Sequence, residues 1–169
     1  SYVEVKLEAS QTNNSTDIVC SNDTFSIQFK LKKKPFQKLE GNFVYIDSQI
    51  IQVTPLEISN YKKNLSSLTA PDQKELLEEY SKYELDYFKY ELKFEILNPT
   101  SQWVTANSRV WLIWYFKVGN LPSDASTKMD TQLYASTIVG DKILTINAPM
   151  HSGSNFSKGA LIVNEMMES

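Results

Sequence analysis

Apolar and polar residues alternate with period two along much of the chain. In "YVEVKLEA", Val3, Val5, Leu7 and Ala9 point one way and Glu4, Lys6 and Glu8 the other. That alternation predicts a strand with one buried and one wet face. "SQTNNSTD" reads as a polar loop. "TFSIQFKL" repeats the pattern, with Phe25, Ile27, Phe29 and Leu31 inward. Pro35 and Gly41 in "KKKPFQKLEGN" break it. "NFVYIDSQIIQVTPLEI" is β-rich with apolar residues on both faces, and "SNYKKNLSSL" is a polar connection.

The period then changes. Thr69 is a plausible N-cap, Pro71 falls in the first turn, and Asp72 stands three residues after the cap. Leu76, Leu77, Tyr80 and Tyr83 recur at helical spacing, and early acids suit the helix dipole. These signals predict a helix that ends near Tyr83 to Asp86. From Tyr87 to Leu97 the pattern reads as a strand: Phe88, Tyr90, Leu92, Phe94 and Ile96 alternate with Lys89, Glu91, Lys93 and Glu95. Asn98-Pro99 is expected to end it.

"SRVWLIWYFKVGN" is apolar on both faces, with Val110, Leu112, Trp114, Phe116 and Val118 on one and Trp111, Ile113 and Tyr115 on the other. A strand of this kind is covered on both sides. The expectation is that the helix, through Tyr80 and Tyr83, covers the Trp111 face. Phe88, Tyr90, Leu92 and Phe94 then line the core between sheets. "LPSDASTKMD" reads as a loop. "TQLYASTIV", "DKILTINA" and "GALIVNEM" read as three closing strands, with a tight turn at Gly140-Asp141.

About eight strands without a strand–helix–strand rhythm predict a mainly β fold. The expected architecture is an antiparallel two-sheet β-sandwich, Ig-like or jelly-roll, with one inserted α-helix near residues 70–85. Residues 1–169 suit a single domain with a real core. The hydrophobic share of 41% and charged share of 22% are those of an ordinary folded protein.

The net charge of −3 gives no general attraction for nucleic acid, so no nucleic acid is expected as a partner. The one cysteine, Cys20, excludes an intrachain disulfide and reads as a small buried residue. Apolar runs fall short of the roughly 20 residues that span a bilayer. The chain opens at Ser1 without Met, which suits a start after a removed leader or inside a longer chain. Membrane association is therefore expected only through an anchor upstream of Ser1. Sequons at Asn13, Asn14, Asn22, Asn64 and Asn155 lend weak support to export.

Chemistry is sparse. The single histidine, His151, sits in a loop-like "APMHSGSN", and no GxSxG elbow accompanies it. The helix acids read as a solvated face, neither "NNSTD" nor "SNDT" has calcium-loop spacing, and no glycine-rich phosphate loop occurs. No catalytic residue, metal or cofactor is assigned. The candidate binding residues are Trp103, as a loop or strand-start aromatic, and the basic cluster Lys32, Lys33, Lys34 and Lys38. A Trp can stack on a sugar or anchor an interface, while lysines can meet an acidic partner or protect a strand end.

"FEILNPTSQWV" resembles Ig-like sandwich domains in which a strand runs into Asn-Pro-Thr. The order of strands, helix and further strands is similar to that of viral jelly-roll subunits. Both likenesses imply architecture and leave function open. The leading expectation is a non-catalytic, extracytoplasmic β-sandwich (secreted, periplasmic or on the cell surface, with a lipoprotein included). It would act through a protein partner or self-association. The alternatives are a self-assembling viral coat subunit and a glycan-binding module.

Overall fold

The computed structural model describes residues 2–58, 67–121, 129–151 and 156–169. Strands β1 (Lys6–Gln11), β2 (Ser15–Ser21) and β3 (Ser26–Lys32) form a three-stranded antiparallel sheet in that order. A seven-stranded sheet contains β4 (Phe36–Lys38), β5 (Phe43–Ile46), β6 (Gln49–Glu57), β7 (Ile96–Ala106), β8 (Arg109–Val118), β9 (Thr131–Val139) and β10 (Lys142–Met150). Its order is β4-β5-β6-β10-β9-β8-β7, all antiparallel. The fold is thus the expected mainly β sandwich, and helix α1 (Ala70–Asp86) lies where the capping signals placed it.

The large sheet is two meanders joined where β6 pairs with β10, from Glu57↔Lys142 to Gln52↔Asn147. Two of its hairpins turn on pairs of non-glycine residues with positive φ: Asp47 (48°) with Ser48 (66°), and Asn107 (49°) with Ser108 (62°). Short polar side chains tolerate that region best. Gly140 (φ 61°) opens the expected turn between β9 and β10.

Alternation sends the two faces of the large sheet to different partners. One face carries Ile51, Val53, Trp111, Leu133, Ala135, Leu144, Ile146 and Ala148. It packs on the small sheet's Leu7, Ile18, Phe29 and Leu31. The other face carries Leu112, Trp114, Phe116, Val118, Ile138 and Ile143, and takes Leu76, Leu77 and Tyr80 of α1. Burying one such large side chain contributes about 1.5–3 kcal/mol. The N-terminal segment ties the layers together. Tyr2 bridges to Leu56 and Val3 N–H donates to Pro55 O on the large sheet; from Lys6 the chain joins the small one.

Several expectations are corrected. The helix does not stop near Asp86. It continues as a π-turn over Tyr87–Glu91, with Leu92 N–H donating to Tyr87 O, and ends at Lys93 with φ 58°. No glycine or proline stops it, and i→i+5 bonding carries it into the first half of the period-two stretch. Strand β7 begins only at Ile96. Tyr90 and Leu92 are exposed, while Phe88 and Phe94 pack on the α1 side rather than between sheets. The helix also covers the Leu112–Trp114–Phe116 face and not that of Trp111, and Tyr83 is exposed. Asn98-Pro99 does not end a strand. It forms a bulge near the start of edge strand β7, where Asn98 has φ 49° and the register shifts between Leu97 and Thr100.

"GALIVNEM" is not a strand but most of α2 (Phe156–Glu168). Gly159, Ile162, Val163, Met166 and Met167 are buried at three-and-four spacing, a helical stripe. Gly159 lets α2 approach β10 closely, since a Cβ there would meet Met150 Sδ at 2.7 Å. "STDIVCS", read partly as loop, is the central strand of the small sheet. Its buried polar groups hid it, and they are satisfied locally: Ser15 Oγ donates to Asp17 Oδ1 at 2.8 Å, and Thr16 Oγ1 to Lys34 O at 2.8 Å. The connection at 59–68, the loop at 121–130, and sequons Asn64 and Asn155 lie wholly or partly outside the described residues.

Candidate functional site

The basic cluster does not converge with Trp103. Lys32 closes β3 and Lys38 closes β4 at one edge of the large sheet, whereas Trp103 lies in β7 at the opposite edge. Lys32, Lys33 and Lys38 are exposed. Lys34 is spoken for: its Nζ sits 2.7 Å from Glu165 Oε2, and Glu165 Oε1 accepts the Lys32 N–H at 2.9 Å. That largely buried pair pins α2 to the end of β3. Trp103 is half-buried within its strand, with Lys74 Nζ 5.2 Å from the ring centroid. Cys20 is fully buried, and burial pushes its thiol up to about 12, so it is inert.

The structure gathers instead a cleft of about 580 Å³ between α1 and the large sheet. Its floor is Gln52 and Thr54 of β6, Tyr134 of β9, and Thr145 and Asn147 of β10. Tyr80, Glu84, Tyr87 and Phe88 descend from the helix, and Tyr2 to Val5 with Gly41 and Asn42 close one side. Helical spacing explains the roof: Tyr80, Glu84, Tyr87 and Phe88 share one face because they follow at intervals of three and four. The π-turn begins at Tyr87, widening the helix where it meets the cleft.

Buried polarity is concentrated there. Glu84 is 7% exposed and accepts a hydrogen bond from the Tyr2 phenol at Oε1. Among the described residues Oε2 has no partner. Burial raises the Glu84 carboxyl, and the Tyr2 hydrogen bond opposes that only in part. Burial pushes the Tyr80 hydroxyl up to about 12, helped by the charge of Glu84, and raises Tyr134 further for the same causes. A chain of hydroxyls runs from the helix into the sheet. Thr145 Oγ1 donates to Tyr80 Oη at 3.4 Å and meets Ser136 Oγ at 2.8 Å, and Trp114 Nε1 donates to Ser136 Oγ at 3.4 Å. Tyr134 stacks on Trp114 with centroids 4.1 Å apart.

A second feature adjoins the cleft and shares Tyr87 with it. Tyr83, Tyr87 and Tyr90 follow at spacings of four and three and are 69%, 44% and 57% exposed. Leu92 and Leu97, beyond the helix end, are exposed as well. Neither feature was read from the sequence. Tyr83 was assigned to the core, and the cleft joins residues too far apart in the chain for periodicity to connect. The residue signal was present all the same: Glu84 interrupts the apolar face of α1 one turn after Tyr80.

Among the described residues, no group of three or more His, Cys, Asp or Glu is placed to hold a metal. No helix of the described residues is long and apolar enough to cross a membrane. No protein-family model matches the chain, and no curated protein matches it either.

Proposed function

We propose that the protein is a non-catalytic β-sandwich module of an extracytoplasmic compartment that works by contact with a protein partner. The observation that carries this reading is the exposed strip of Tyr83, Tyr87 and Tyr90, which runs beside the docked face of the helix. Tyrosine supplies large contact area at small entropic cost and is enriched where proteins meet. A rigid helix face presents such residues without a folding penalty on binding. Asn13 and Asn14, at the exposed turn between β1 and β2, can accept glycans in a secretory lumen without disturbing the core. The glycan reading is the weaker one, because Lys74 already stands over the Trp103 ring.

The test is retention of a partner from surface or periplasmic extract by wild type and by a Tyr83→Ser/Tyr90→Ser double variant. Both sites are exposed, so the variant should unfold at the same urea concentration. A partner held by wild type and lost by the variant supports the reading. Equal retention, or none by either protein, overturns it.

A further inference from the structure

We propose that the cleft between α1 and the large sheet binds an organic ammonium group, alkyl or quaternary. The charged side chains among the described residues lining the cleft are Glu84 and Glu4, both negative, with no lysine, arginine or histidine beside them. Glu84 is the deeper: it is 7% exposed, and among the described residues it forms no ion pair and its one hydrogen bond is from the Tyr2 phenol to Oε1. A buried carboxylate without a cation is a costly arrangement that an incoming cation would relieve.

The walls around it are aromatic. Tyr2, Tyr80, Tyr87, Phe88 and Tyr134 all line the cleft. Aromatic faces attract weakly hydrated cations, and several rings around one carboxylate form a cage suited to an ammonium. A hard metal ion fits this site poorly, since calcium takes 6–8 oxygen ligands at about 2.3–2.6 Å. Gln52, Thr54 and Asn147 on the floor offer amide and hydroxyl groups to a short polar tail. The volume is in the range of small-molecule sites, about 300–1,000 Å³. The ammonium can belong to a free small molecule or to a lysine side chain of a protein.

Stacking of Tyr134 on Trp114 supplies a readout, because an occupant touching Tyr134 perturbs Trp114 fluorescence. The experiment titrates the full chain with choline, with its uncharged carbon analogue 3,3-dimethylbutan-1-ol, and with N-acetyl-lysine methylamide. Calorimetry runs in parallel. Saturable binding of either cation, at least tenfold tighter than the neutral analogue, is expected. Tighter choline binding assigns a small molecule, and tighter lysine binding assigns a protein side chain. Glu84→Gln should lose at least tenfold while staying folded. Tyr87→Ala, at an exposed position, should lose about threefold. Equal binding of the neutral analogue, no saturation by either cation, or unchanged affinity in Glu84→Gln overturns the proposal. The Tyr83→Ser/Tyr90→Ser variant keeps its cation affinity here, so this site and the tyrosine strip succeed or fail separately.

Discussion

The two faces of the seven-stranded sheet are built by the same strands and differ by one residue in register. Toward the small sheet, β10 presents Leu144, Ile146 and Ala148; toward α1 it presents Ile143, Thr145 and Asn147. The first face is dry and closes on apolar side chains of the small sheet and α2. The second mixes an apolar end under Leu76 and Leu77 with a polar end under Tyr80 and Glu84. The difference shows where the molecule places polarity that stability does not ask for. An all-apolar face would have served the core, so the hydroxyl chain and the carboxylate mark the face that was left open.

The two tryptophans of β8 show the same contrast at one strand. Trp114, on the α1 side, has Ser136 for its indole N–H. Trp111, on the dry side, buries an indole N–H with no hydrogen-bond partner among the described residues. A lone donor of this kind costs about 1–3 kcal/mol, and the dry face tolerates it because the rest of the ring is packed.

The contrast can be broken in steps of decreasing size. Ile146→Ala, on the dry face, should cost roughly 2–5 kcal/mol in urea unfolding, as cavities in closed cores do. Thr145→Val, its neighbour on the other face, should cost about 1–2 kcal/mol, by leaving Ser136 and Tyr80 without their shared partner. Equal losses at the two positions would mean that the faces are not distinct in packing.

The smallest effect is a pH slope. Burial lifts the Glu84 carboxyl above 4.5, so the folded state holds a proton that the unfolded chain has released. Its contribution is full below about 4.5 and is lost as pH rises through the raised folded value. Glu84→Gln removes that slope. The variant should therefore gain stability relative to wild type between pH 4 and pH 8, and a constant difference across that range would count against a buried carboxylate.

Much of the sandwich was legible because period two survives wherever one face is buried. Val5, Leu7 and Ala9 lie inside as the alternation required, and β8, β9 and β10 fall where the pattern put them. Thr69 caps α1, with its Oγ1 accepting from Asp72 N–H at 3.3 Å. Two segments misled for opposite reasons. Leu161, Ile162 and Val163 form a short apolar run that looks like strand, and the helical stripe shows only when Met166 and Met167 are counted with them. Between Phe88 and Glu95, alternating charges imitate a strand although the backbone is a π-turn as far as Glu91 and irregular from Leu92 to Glu95. The cleft was not legible, since Tyr2, Glu84, Tyr134 and Asn147 meet only through sheet register and helix docking.

The seam between β6 and β10 sets an order of assembly. Each meander needs only neighbouring strands, whereas the seam must close the whole connection from Glu57 to Lys142. Non-local pairing of this kind is slow, because chain entropy is lost before contacts reward it. Helix α1 rests mainly on Leu112, Trp114, Phe116 and Ile138, all within the C-terminal meander, so it can dock before the seam closes. Pulse-labelled hydrogen exchange should find β8 and β9 protected ahead of β6, and the reverse order would reject this route. The cleft floor takes Gln52 and Thr54 from one side of the seam and Thr145 and Asn147 from the other. A chain with its helix already docked thus has no pocket until its two halves meet, and ligand can add its binding energy only to that last closure.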